Sequence, residues 1–182
     1  FVWGPLLQAS AVTAFWVVLT AGLHIDGLAD LADGLGGGWD KESRLRIMKD
    51  SSIGTYGALS VGLLLLLKTV LLFEVFSFDT SLSGAAFEIV LFTPAAGRFV
   101  QVCSIRFFPP AKKEGFGQYF KSGVKTSDVL IAAAITILTA TAFWGLVGLG
   151  LVAAAILFML AVGKYVSLRL GGLNGDSYGA IC

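Results

Sequence analysis

Charge is scarce in this chain: 14% of its 182 residues are Asp, Glu, Lys or Arg, against about 25% in an ordinary soluble domain. That shortfall argues against a soluble globular fold. No internal repeat, soluble domain or low-complexity linker is visible either. Cysteine is scarcer still. Cys103 and Cys182 make no metal-ligand spacing and give no reason to expect a disulfide, so both read as unpaired thiols. Neither an initiator methionine nor a basic leader precedes the first apolar run, so the chain does not open like a signal peptide. It starts at Phe1 and stops at Cys182 just after a polar stretch, and reads as a piece of a longer protein cut at both ends. The net charge is +1, and no nucleic-acid partner is expected.

Apolar residues fill the space that charge leaves. They make up 56% of the chain, and mean hydropathy is +0.83. Runs of this kind suit a bilayer, where a spanning helix needs about 20 mostly apolar residues. The expected fold is an all-α, multi-pass integral membrane helical bundle with about five transmembrane helices. The spans fall near 5–22, 53–76, 82–102, 129–147 and 150–168. Residues 129–168 are too long for one helix, and Gly145, Gly148 and Gly150 mark the turn between two. The second and third spans should be antiparallel neighbours. Lys68 and Glu88, inside apolar runs, then read as a structural ion pair.

Lysine and arginine set the orientation. Lys41, Arg44, Arg46 and Lys49 lie in segment 24–52; Arg106, Lys112, Lys113, Lys121 and Lys125 lie in 103–128; and Arg169 lies in 169–182. The turns near 77–83 and 145–150 carry none. The positive-inside tendency therefore makes the three basic segments cytoplasmic.

The chemistry concentrates in His24-Ile25-Asp26-Gly27-Leu28-Ala29-Asp30-Leu31-Ala32-Asp33-Gly34. Asp26, Asp30 and Asp33 stand at i, i+4 and i+7, and share one face of a helix. Like charges so placed repel unless a cation holds them, and clustered oxygens suit a hard ion such as Mg²⁺. Asp50 closes the same segment and could fold back to complete a metal quartet. Gly27 and Gly34 would admit a ligand or a neighbouring helix close to the backbone. His24 is a candidate metal ligand or general base. Arg44, Arg46, Lys49 and Arg98 are candidates for holding phosphate oxygens. Lys113 and Glu114 sit in a glycine-hinged loop suited to substrate contact. Asn174 and Asp176 could add oxygens to the same site. Moving a single lysine such as Lys121 is expected to change little.

With these residues in view, the chain resembles the cobalamin synthase family, the adenosylcobinamide-GDP ribazoletransferases. The segments HIDGLADLADG (24–34) and RLRIMKDSSIGTYGALS (44–60) carry the resemblance. Gly97-Arg98, KKEGFG (112–117) and LGGLNGD (170–176) agree with it. The resemblance implies a membrane enzyme that joins adenosylcobinamide-GDP to α-ribazole or its 5′-phosphate and releases GMP. Corrinoid and ribazole substrates and a lipid bilayer would be its partners, and its oligomeric state is left open. It implies Asp26, Asp30, Asp33 and Asp50 on Mg²⁺, with Arg44, Arg46, Lys49 and Arg98 on the phosphates. One aspartate or His24 would take the hydroxyl proton. Two rivals compete. A CDP-alcohol phosphotransferase would show DG-x2-AR-x8-G-x3-D-x3-D, but Asp26-Gly27 is followed here by Leu28-Ala29-Asp30-Leu31. A cation transporter or channel would place polar groups at mid-membrane on broken helices.

Overall fold

A computed structural model describes residues 3–78, 84–112 and 115–182. The described residues form α1 (Pro5–Leu19), α2 (Leu23–Gly37), α3 (Lys41–Ile47), α4 (Thr55–Phe78) and α5 (Ala85–Phe107), then α6 (Phe116–Gly123), α7 (Thr126–Trp144), α8 (Leu146–Leu170) and α9 (Gly175–Ile181). No strand is named among them; the one extended pairing is a parallel bridge between Pro110 and Leu173. Four helices, α4, α5, α7 and α8, are each long and apolar enough to cross a membrane. Their outward faces carry large apolar side chains such as Leu63, Leu67, Leu138 and Leu157, all more than half exposed. In a bilayer these faces meet lipid, so their exposure costs nothing.

The first span departs from expectation. α1 stops at Leu19, and α2 continues it after a bend of 85°. Together they pass as one broken span, so segment 24–52 does not lie wholly outside the spans. The break has a local cause. Ala21 and Gly22 both adopt left-handed backbone, with φ of 49° and 68°. The Ala21 N–H donates to Val18 O at 3.0 Å and the Gly22 N–H to Val17 O at 2.9 Å, which uses up carbonyls that continuation of α1 would need.

The second and third spans meet beside their short connection, where Leu72 and Phe76 of α4 cluster with Ala86 of α5, and part from there. α4 packs mainly on α1 and α2, while α5 packs on α7, α8 and α9. α2 and α9 fill the space between, which is why Lys68 finds the Trp16 ring of α1, 5.9 Å from its centroid, and not Glu88. The turn in 129–168 lies at Gly145 alone, with φ of 56°; Gly148 and Gly150 belong to α8. Gly148 packs on α7, where an added Cβ would strike the backbone of Ala140.

The polar segments gather at one end of the bundle. Arg44 of α3 donates from Nη1 to Arg169 O at 3.3 Å, and Lys121 of α6 donates to Arg106 O and Phe108 O, each at 2.7 Å. Ala111 N–H donates to Leu173 O and Leu173 N–H to Pro109 O, both at 2.8 Å. This pair of bonds straps the start of α9 to the end of α5.

Candidate functional site

The residues after that strap build the site. Asn174 caps α9: its Oδ1 accepts from the Ser177 backbone N–H at 3.0 Å and from Ser177 Oγ at 2.6 Å. Its Nδ2 donates to Asp176 Oδ2 at 2.9 Å and so aims that carboxylate. Glycine lets α9 lie directly on α2. A Cβ on Gly27 would stand 2.6 Å from Asp176 O, and one on Gly179 would stand 3.2 Å from Leu23 O. Asp176 is thereby delivered beside Asp26. Gly27 serves the neighbouring helix, and so does Gly34, whose Cβ would meet Met48 and the Arg44 carbonyl.

Asp26 and Asp176 face a cavity of about 770 Å³, within the usual size for a small-molecule site. His24 and Asn174 line it too. Lys49, Lys112 and Arg98 line it with positive charge, and Leu23 and Phe120 supply exposed apolar surface. Arg98 is steadied by Gln101, whose Oε1 accepts from Nη1 at 2.8 Å. Desolvation pushes the Asp176 carboxyl above its usual pKa, and the nearby Asp26 charge adds to this; the Asn174 hydrogen bond opposes both. On the basic side, desolvation and then repulsion from Lys49 and Lys41 push the Lys112 ammonium down. Like charges thus gather in each cluster, so the acids suit a cation and the lysines an anion.

The expected aspartate quartet does not meet at one point. Seven residues along a helix rise about 10.5 Å, so Asp26 and Asp33 share a face without sharing an ion. Asp33 is spent elsewhere: its Oδ2 accepts from the Gly54 N–H at 2.7 Å and its Oδ1 from the Gly57 N–H at 2.8 Å. It lines a separate concavity of about 310 Å³ with Asp50. There the Ser52 N–H donates to Asp50 Oδ1 at 2.9 Å and holds that carboxyl below the usual range. Asp30 lies between, within electrostatic reach of Asp176, Asp26 and Asp33. Among the described residues no group of three or more His, Cys, Asp or Glu side chains is placed to hold a metal ion by itself. A pair of carboxylates fits Mg²⁺ in its other mode, in which one or two carboxylates bind the ion jointly with waters and substrate phosphates.

The cations also divide. Arg44 is 9% exposed, and its Nη1 and Nη2 are occupied by Arg169 O and Trp39 O, the latter at 3.1 Å. It clamps α3 in place. Arg46 is exposed and lies outside the cavity lining. Lys49 and Arg98 do reach the cavity. Lys113 and Glu114 lie outside the described residues. Lys112 belongs to the loop 112–117 that the sequence marks for substrate contact, and it does line the cavity. Gln101 had no signal in the sequence, because only folding brings it here.

This constellation finds its counterpart in sequence comparison. The family model described as Cobalamin-5-phosphate synthase matches residues 1–182. The chain belongs to this family. Similar curated proteins bear the description adenosylcobinamide-GDP ribazoletransferase. One from Roseiflexus sp. (strain RS-1) is 37% identical over 99% of this chain and 65% of its own length. One from Syntrophobacter fumaroxidans is 39% identical over 97% of this chain and 69% of its own. A third, from Herpetosiphon aurantiacus, is 35% identical over 100% and 70%. The chain therefore spans about two thirds of the length of these relatives. No solved structure matches it. Within the cobalamin synthase family, the segments that carried the resemblance are those that line the cavity: His24 and Asp26, Lys49, Arg98, Lys112, Asn174 and Asp176.

Proposed function

We propose that this chain carries the active site of an adenosylcobinamide-GDP ribazoletransferase. The enzyme joins adenosylcobinamide-GDP to α-ribazole or its 5′-phosphate, gives adenosylcobalamin or its 5′-phosphate, and releases GMP. This is the late step that assembles the nucleotide loop of cobalamin. The supporting observation is one cavity lined both by the carboxylates Asp26 and Asp176 and by the cations Lys49, Lys112 and Arg98. A diphosphate substrate needs both.

The reaction is attack by a ribose hydroxyl on the phosphorus that carries cobinamide. The bridging P–O bond breaks and its electron pair leaves with GMP. Lys49, Lys112 and Arg98 would bind phosphate oxygens and offset charge that develops as the bond breaks. Asp26 and Asp176 would hold Mg²⁺, which would supply charge neutralisation at the diphosphate. Asn174 keeps Asp176 oriented through the 2.9 Å bond. Leu23 and Phe120 would give apolar surface for part of a bulky corrinoid. The basic end of the bundle faces the cytoplasm in this reading, so the nucleotide enters from that side of the inner membrane.

The test uses the reconstituted full-length parent with adenosylcobinamide-GDP, α-ribazole phosphate and Mg²⁺, and reads GMP release and cobalamin formation. Turnover that disappears with EDTA and in Asp26→Ala supports the reading. Near-normal turnover in a folded Asp26→Ala removes the assignment of Asp26. A well-folded parent without turnover overturns the transferase reading.

A further inference from the structure

The break between α1 and α2 does more than turn the chain. It brings Thr20, the last residue before the left-handed turn, to His24 in the first turn of α2, with Oγ1 2.9 Å from Nδ1. The same Oγ1 lies 2.8 Å from Trp16 O and 3.2 Å from Val17 O. Carbonyl oxygens only accept, so those two contacts require the hydroxyl proton to point towards them. Thr20 has no second proton. Its oxygen must then accept in the contact with His24, and Nδ1 must donate. The reverse arrangement, with the hydroxyl donating to Nδ1, would leave two oxygens facing each other at 2.8 Å with no proton between them.

We infer that Thr20 fixes the tautomer of His24, so that the neutral ring carries its proton on Nδ1 and presents an unprotonated Nε2 to the cavity as the acceptor of the attacking hydroxyl's proton. His24 lines that cavity beside Asp26, and among the described residues no hydrogen bond reaches Nε2. Thr20 is a positioning residue here and His24 the catalytic one, in the arrangement where a base is itself oriented by a third group. The strain at Ala21, a side-chain-bearing residue at φ 49°, fits a turn retained for what it holds in place.

The inference rests on the transferase reading for its step, though not for its tautomer. In that step the ribose oxygen forms a bond to the phosphorus bearing cobinamide. The bridging P–O bond breaks with its electron pair on the GMP oxygen. The hydroxyl proton moves to Nε2 of His24, giving an imidazolium that returns it to solvent.

In the full-length parent, selective ¹⁵N-histidine labelling compared with His24→Ala identifies the His24 imidazole, the one histidine of these 182 residues. In detergent, at a pH where the ring is neutral, long-range ¹H–¹⁵N correlations should show a protonated Nδ1 and a bare Nε2. Thr20→Val should move the proton to Nε2, and Thr20→Ser should restore the wild-type pattern. In the full-length parent, Thr20→Val should lower kcat about 10–100-fold with KM within about twofold, Thr20→Ser should recover most of it, and His24→Ala should cost about 10²–10⁴. A wild-type ring protonated on Nε2 overturns the tautomer whether or not the parent turns over. Wild-type kcat in Thr20→Val overturns the positioning role. A parent that shows the predicted spectrum but makes no product overturns the transferase reading and the base role with it.

Discussion

Asp33 offers the sharpest separation between a structural and a metal-binding carboxylate. Gly54 precedes α4 and has no side chain with which to cap it. Asp33 does this from α2, accepting from Gly54 N–H at 2.7 Å and Gly57 N–H at 2.8 Å while only 8% exposed. Asp33→Asn keeps the shape, keeps one acceptor oxygen and turns an NH₂ group towards the other donor. The loss is one charge-assisted hydrogen bond, about 1.5–3 kcal/mol, and a carboxylate at a helix N-terminus, about 0.3–1 kcal/mol. The sum is about 2–4 kcal/mol, because the two overlap and the buried N–H left behind is costly. For a chain of this size each kcal/mol moves the unfolding midpoint by about 2–4 °C, so a fall of roughly 4–16 °C is expected. A thiol-reactive dye reads it well, because Cys103 is 4% exposed and reacts only once the bundle opens. Below its lowered midpoint, Asp33→Asn should turn over with near-normal kcat and an unchanged Mg²⁺ requirement. An unchanged midpoint with a weakened Mg²⁺ requirement would refute the capping argument and return Asp33 to the metal.

Three further outcomes are expected. Gly27→Ala places a Cβ 2.6 Å from the Asp176 carbonyl, which is backbone and cannot swing aside; it should lower turnover at least tenfold and lower the melting midpoint, read together by activity and thermal shift. Lys121→Met removes two 2.7 Å bonds from α6 to the end of α5; a loss of about 1–3 kcal/mol in docking of α6 should raise KM more than it lowers kcat, against the sequence-based expectation that moving this lysine changes little. The Asp176 carboxyl has a raised pKa in the fold, so the folded state holds its proton after the unfolded chain has released it. Metal-free stability should therefore fall as pH rises from the ordinary aspartate range through the raised value, and Asp176→Asn should flatten that slope in a pH series of melts.

Much of the fold is legible because lipid imposes a simple rule. Runs of about 20 apolar residues become helices, since no other local structure satisfies its own backbone. Thus the expected spans 53–76, 82–102, 129–147 and 150–168 overlap α4, α5, α7 and α8, offset by up to five residues at an end, with 82 and 83 outside the described residues. The end of the first helix near Gly22 was legible, but its continuation into α2 after an 85° bend was not, because alanine does not advertise left-handed backbone. Away from the short connection, helix adjacency failed for a related reason. Sequence order favours α4 beside α5, but glycines 27 and 179 let α2 and α9 pack closely and occupy that place.

The candidate site divides in the same way. Sequence alone determined that carboxylates, a histidine and basic side chains belong to a few polar segments, because charge among apolar runs is costly and conspicuous. It also determined the family, through long segments whose order of residues is specific. Which of those groups meet was decided only by tertiary structure. Helical periodicity put Asp26, Asp30 and Asp33 on one face, yet the rise along the axis separates the first from the last by about 10.5 Å. Asp33 went to the start of α4, Arg44 to two carbonyls, and Asp176 arrived beside Asp26 from 150 residues later in the chain. Periodicity specifies direction around a helix, whereas a binding site needs convergence in three dimensions, and that comes from packing between helices distant in sequence.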